Sequence, residues 1–222
     1  MSAYNPFEDD GPLPVGRPRV SFSRTEVLHL TLSVAVLTVS FALFMDKTGI
    51  KVWTVHPRTL LAALLAVGSG FVLHELGHKV VAQRYGHWAE FRAQLSGLGL
   101  TILLAIMGPI LFAAPGAVMI QGRVTPRESG LISIVGPGIN FLIALIAYPF
   151  AWAVNTDAMV PSIAHVIATI NAALCLFNLL PFGPFDGRKV WRWNKVGYLA
   201  SALLAIVLFV TIVVSPYGVP FQ

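Results

Sequence analysis

Two histidines four residues apart, with a glutamate after the first, make His74-Glu75-Leu76-Gly77-His78 an HExxH sequence. On a helix, positions four apart lie about 40° apart around the axis and one turn along it. Both imidazoles can therefore reach one metal ion, and Glu75 lies beside them as a general base for hydrolytic chemistry. A catalytic zinc takes three protein ligands and keeps one position open, so a third ligand must come from elsewhere. Most of the ten acidic residues lie in the N-terminal tail or in polar loops. Asp186 is different, because it closes the stretch Asn178-Leu-Leu-Pro-Phe-Gly-Pro-Phe-Asp186-Gly187 just past an apolar run. Taken alone, Asp186-Gly187 is a turn at a helix exit. Only the position of that exit relative to HExxH can make Asp186 a ligand.

The elements that carry these residues are membrane-like. Hydrophobic residues make up 56% of the 222 positions and charged residues 11%, against about 25% charged in soluble domains. The apolar residues come in blocks: Val27 to Met45, Thr59 to Leu73, Leu131 to Val154, Val160 to Leu180 and Val196 to Val214. Each crosses, or nearly crosses, a bilayer that takes about 20 helical residues. The expected class is an all-α polytopic membrane protein with about five transmembrane helices. The HExxH helix carries almost nothing else ionisable from Thr59 onward, and three such side chains in lipid cost several kcal/mol. Helix–helix hydrogen bonding is the competing structural explanation of the cluster.

The segment Ser96 to Ile120 is also apolar, but Gly108-Pro109 and Pro115-Gly116 interrupt it. As a re-entrant segment with the N-terminus in the cytoplasm, it leaves only Lys47, Lys51 and Arg58 of the fifteen Lys and Arg outside. That is a strong positive-inside bias. The same topology brings Asp186 to the membrane face where HExxH lies, which favours it as the third ligand. His74 lies about 22 Å along its helix from Thr59, below the cytoplasmic surface. Residues 1–26 read as a disordered cytoplasmic tail without a cleavable signal, 27–215 as one transmembrane domain and 216–222 as a short tail. Cys175 allows no intrachain disulfide. The net charge of +5 speaks to orientation, and no basic domain points to nucleic acid.

HELGH in one segment, Gly136-Pro-Gly-Ile-Asn140 in a later one and NLLPFGPFDG near a third resemble the site-2 protease family of intramembrane metalloproteases. The resemblance covers roughly Thr59 to Lys189. It implies one Zn2+ per chain on His74, His78 and Asp186, with Glu75 as the catalytic glutamate. It implies that Asn140 holds substrate or stabilises the oxyanion, and that Asn178 to Pro181 contacts substrate. It also implies a small membrane-embedded β-sheet, for which Ala117 to Thr125 is available. Phe185 replaces the usual Leu before Asp-Gly, and Arg188 replaces a small residue. The implied activity is cleavage of transmembrane protein substrates in a multi-pass cell membrane, with the site toward the cytoplasm. A transporter or channel with a metal site, and an inactive membrane scaffold, are the alternatives. Neither of these needs Glu75 between two ligands.

Overall fold

The computed structural model describes residues 20–46, 55–107, 115–152 and 159–214. Helix α1 (Arg24–Met45) starts where the Ser23 hydroxyl accepts the Glu26 N–H at 3.1 Å, which satisfies one of the free donors of a first turn. Glu26 is fully buried, and its carboxylate accepts from Lys79 Nζ at 2.5 Å and from the Phe91 N–H at 3.0 Å. A buried carboxylate needs such partners, and they tie the start of α1 to two distant elements.

At the other end of α1, Asp46 accepts from the His56 N–H and the Thr59 hydroxyl, each at 2.7 Å. The carboxylate thus caps α2 (Pro57–Val67), which has Pro at its first position. A π-helical turn, Gly68–Val72, joins α2 to α3 (Leu73–Arg84) in one 28-residue helix. Gly68, Ser69 and Gly70 mark this irregularity.

Strand β1 (Trp88–Ala93), helix α4 (Leu95–Met107) and strand β2 (Gly116–Gln121) follow. The strands pair antiparallel, from Trp88 opposite Gln121 to Ala93 opposite Gly116. This is the small sheet the resemblance implies. At 13 residues, α4 is about 20 Å long, short of a hydrocarbon core of about 30 Å. Gly108-Pro109 lies outside the described residues.

Helix α5 (Pro126–Trp152) starts ten residues before Gly136-Pro137. Proline suits a first turn, so Gly136-Pro137 has the look of a helix start, but Pro137 is inside the helix. The start is a capping box: the Glu128 carboxylate accepts the Thr125 N–H at 2.8 Å, and Thr125 Oγ1 accepts the Glu128 N–H at 3.3 Å. Helices α6 (Met159–Asn178), α7 (Asp186–Trp193) and α8 (Lys195–Val214) complete the chain. Four of the described helices are long and apolar enough to cross a membrane: α1, the continuous α2–α3 helix, α5 and α8.

Helix α5 packs on α3, α6, α7 and α8, while α1 lies across α2, α4 and β1. Small side chains carry the contacts. Ala62 and Ala66 of α2 meet Ile163, Val166 and Ile170 of α6, and Ala144 of α5 meets Ala168 and Ala172. Lipid tails supply no hydrophobic drive between helices, so close van der Waals approach holds such bundles. Leu145, Ile146, Leu203 and Leu204 point outward and are exposed, as a lipid-facing surface requires.

Candidate metal centre

His74 and His78 project from α3 and Asp186 is the first residue of α7, and α5 orients both histidines. The imidazoles are set by their Nδ1 atoms. His74 Nδ1 lies 2.5 Å from Asn140 Oδ1, and His78 Nδ1 lies 2.7 Å from the Ile132 carbonyl. Both acceptors are on α5. An oxygen acceptor at Nδ1 fixes the tautomer with the proton there and leaves Nε2 as a bare lone pair. The two Nε2 atoms face each other at 2.9 Å, and Asp186 Oδ2 lies 3.4 and 3.0 Å from them. Three acceptors in contact, all on buried residues, repel one another unless a cation joins them.

This donor set fits a divalent metal ion. Bonds of about 2.0–2.1 Å in a tetrahedron separate ligand atoms by about 3.3 Å, close to the spacings present. Gly136 leaves the room: a Cβ there would lie 2.5 Å from His78 Nε2 and 2.6 Å from His74 Nε2. The other carboxylate oxygen, Asp186 Oδ1, faces Lys189 Nζ at 3.6 Å.

The remaining predicted site residues separate. Glu75 lines a cavity of about 540 Å³ with His74, His78 and Asp186, and its Oε2 accepts the Val118 N–H at 3.2 Å. Asn178 also lines the cavity and donates to the Leu174 carbonyl at 3.0 Å. Pro181 is exposed and outside the cavity lining. Asn140 is fully buried, and its amide donates to the Gly70 carbonyl at 2.8 Å and to Asn171 Oδ1 at 2.9 Å. With both amide protons engaged and its oxygen on His74, Asn140 has no free donor for an oxyanion or a substrate. The Asn140 side chain thus lies behind His74, engaged with His74, Gly70 and Asn171.

Sequence reasoning missed Asn171, the Ile132 carbonyl and Lys189. Asn171 carries a signal, since it is a buried amide inside an apolar helix; a backbone carbonyl carries none. His165 makes its contact within its own helix, to Thr169 Oγ1 at 3.3 Å. His87 stands 3.5 Å from Glu128 and away from the metal cluster.

The HExxH histidines and an aspartate from a second element form a group that could hold a metal ion, among helices long and apolar enough to cross a membrane. A Methanocaldococcus jannaschii protein provisionally named zinc metalloprotease MJ0611 is 38% identical over 174 residues, which is 78% of this chain and 86% of that protein. The chain therefore belongs to the site-2 protease family of zinc metalloproteases. Zinc metalloprotease MJ0392 of the same organism is 30% identical over 138 residues. Rip3 of Mycobacterium tuberculosis, also provisionally named a zinc metalloprotease, is 34% identical over 146 residues. The chain spans 35% and 31% of the length of these last two. No family model and no solved structure matches the chain.

Proposed function

We propose that the chain is an intramembrane zinc metalloprotease that hydrolyses peptide bonds within or near transmembrane helices of other membrane proteins. The observation that carries this reading is the convergence of three bare acceptors beside Glu75 on one cavity. His74, His78 and Asp186 would hold one zinc. Bound there, it would polarise a scissile carbonyl and make a water acidic near neutral pH. Glu75 accepts the proton of the attacking water and delivers it to the leaving amine. Asn140 acts through His74, holding the tautomer that keeps Nε2 free.

This role separates from an oxyanion role by experiment. Asn140→Ala weakens zinc binding about 10- to 100-fold, read by chelator competition. An oxyanion donor would leave zinc affinity unchanged and lower only kcat.

The topology that accompanies this reading makes α6 the fifth crossing and Ser96 to Ile120 a re-entrant segment. The site then opens toward the cytoplasm, in line with the distribution of Lys and Arg.

A substrate helix must unwind to expose its carbonyls, and the freed backbone needs partners in a dry setting. Strand β2 supplies them. Phe91 and Val118 sit opposite each other, and their N–H groups point away from the partner strand, to Glu26 and Glu75 respectively. Among the described residues no strand pairs with this edge of β2, so an extended chain can pair there by taking the Val118 N–H over from the catalytic glutamate. Val118→Pro removes one outward N–H, together with its bond to Glu75, and no β1 pairing. Cleavage is expected to fall at least about tenfold, with zinc content unchanged. Unimpaired cleavage would remove strand docking from the mechanism.

The reading as a whole is tested by co-expressing the chain, or its His78→Ala variant, with single-span membrane proteins and comparing membrane proteomes. Fragments cut within or beside the spans should accumulate only with the wild type. If no fragment depends on His78, the proteolytic reading fails.

A further inference from the structure

Helix α7 has an outer face that the metal site does not use. Its inner face is Asp186, Gly187 and Val190, all buried. Arg188 and Arg192, one turn apart, are exposed on the other side, and exposed Lys195 follows the break at Asn194. Arg188 reaches only the Gly183 carbonyl, at 3.4 Å, and Lys195 Nζ lies 5.4 Å from the Trp191 ring centroid. Among the described residues, none of these three cations has a carboxylate partner. Asp186 is the only acid after Asp157 in the sequence, and it is turned inward.

The surroundings give the height of this face in the membrane. Exposed apolar side chains bracket it: Phe177 and Phe182 before, Val196 and Leu199 after. Trp191 stacks edge-on against Tyr198, and Trp193 packs on Gly130 near the start of α5. Tryptophans gather where acyl chains give way to headgroups. This setting is the one expected of cations at the level of lipid phosphates.

We infer that Arg188, Arg192 and Lys195 form a binding surface for anionic lipid headgroups, so that the helix carrying Asp186 rests on the bilayer. A soluble acidic partner fits less well, because the flanking Phe182 and Val196 demand hydrocarbon on both sides. The inference depends on the chain lying in a bilayer and not on its being a protease, and its test reads lipid rather than cleavage.

The full chain, purified in detergent, is titrated with phosphatidylglycerol or phosphatidylcholine, and bound lipid is counted by native mass spectrometry. The wild type is expected to prefer phosphatidylglycerol by at least about tenfold. The triple variant R188Q/R192Q/K195Q should lose about a hundredfold in phosphatidylglycerol affinity, near fivefold for each surface charge. The double variant R188K/R192K keeps the charges and should bind as the wild type does, which separates surface charge from misfolding. Equal binding of the two lipids, or a triple variant that keeps the preference, would overturn the inference. So would displacement of the lipid by equimolar inorganic phosphate or by an acidic peptide.

Discussion

Glu75→Gln is expected to stop cleavage and leave zinc bound one per chain. The substitution keeps side-chain volume and an oxygen that can still accept the Val118 N–H, so the cavity wall stays as it is. His74, His78 and Asp186 are untouched, and the Nδ1 contacts that orient the imidazoles come from α5 and not from Glu75. What is lost is a basic group able to take a proton from water. General acid–base catalysis contributes about 10²- to 10⁴-fold, so a loss near 10³-fold is expected on a single-span substrate. Zinc is counted by inductively coupled plasma mass spectrometry on the same preparation. A rate within tenfold of wild type would dismiss Glu75 as the base. A transporter or a scaffold would be indifferent to this substitution, so the one variant also decides between those functions and proteolysis.

Asp186→Asn acts on the other half of the centre and is expected to release the metal. A neutral amide oxygen replaces an anionic ligand, and both imidazole lone pairs lose the charge that balances a bound cation. Structural zinc sites hold their ion with about 10–16 kcal/mol in total. Spread over four ligands, the loss of one is worth on the order of 10²- to 10³-fold in affinity. Cleavage should fall with occupancy and recover partly at high zinc. The fold should persist, because Gly187 and Val190 stay buried against the bundle and Trp193 stays on Gly130. Unchanged zinc retention against a chelator, with an intact fold, would mean that another residue completes the site.

The parts of this architecture that are legible in the sequence are those that repeat over a short range. HExxH declares itself because a helix turns every 3.6 residues, and the apolar blocks because a bilayer has a fixed thickness. Asp186 takes an extra step, since only topology puts it beside a motif more than a hundred residues earlier. The start of α5 is written in Thr125-Pro-Arg-Glu128, a capping box with Pro at the first position, yet the proline at 137 draws the eye to the wrong place. Helix α7 is eight residues long, too short for its period to stand out beside two interfacial tryptophans. Glu26 looks like one more acid of a polar tail. Its partner Lys79 is 53 residues away, and nothing local in either residue announces the pair. Asn140 is visible as a polar residue at depth, but which way its amide points depends on three acceptors and donors from other helices. Chemistry carried by a backbone atom, such as the Ile132 carbonyl, leaves no trace in residue identity at all.

The π-helical turn at Gly68–Val72 separates two demands that a plain α-helix would lock together. Above it, α2 turns Ala62 and Ala66 to α6. Below it, α3 must present His74, Glu75 and His78 to α5, β2 and α7. A π turn spends one residue more than an α turn over the same arc, so it shifts the angular phase of everything after it by about 100°. The carbonyl of Gly70, in that turn, is the one that accepts the Asn140 amide. The upper half of the helix can thus keep the phase that suits its neighbours, while the lower half keeps the phase that suits the metal. The turn works as a fixed gear between a packing register and a chemical one, and the chain's tolerance of change along α2 is set by that gear.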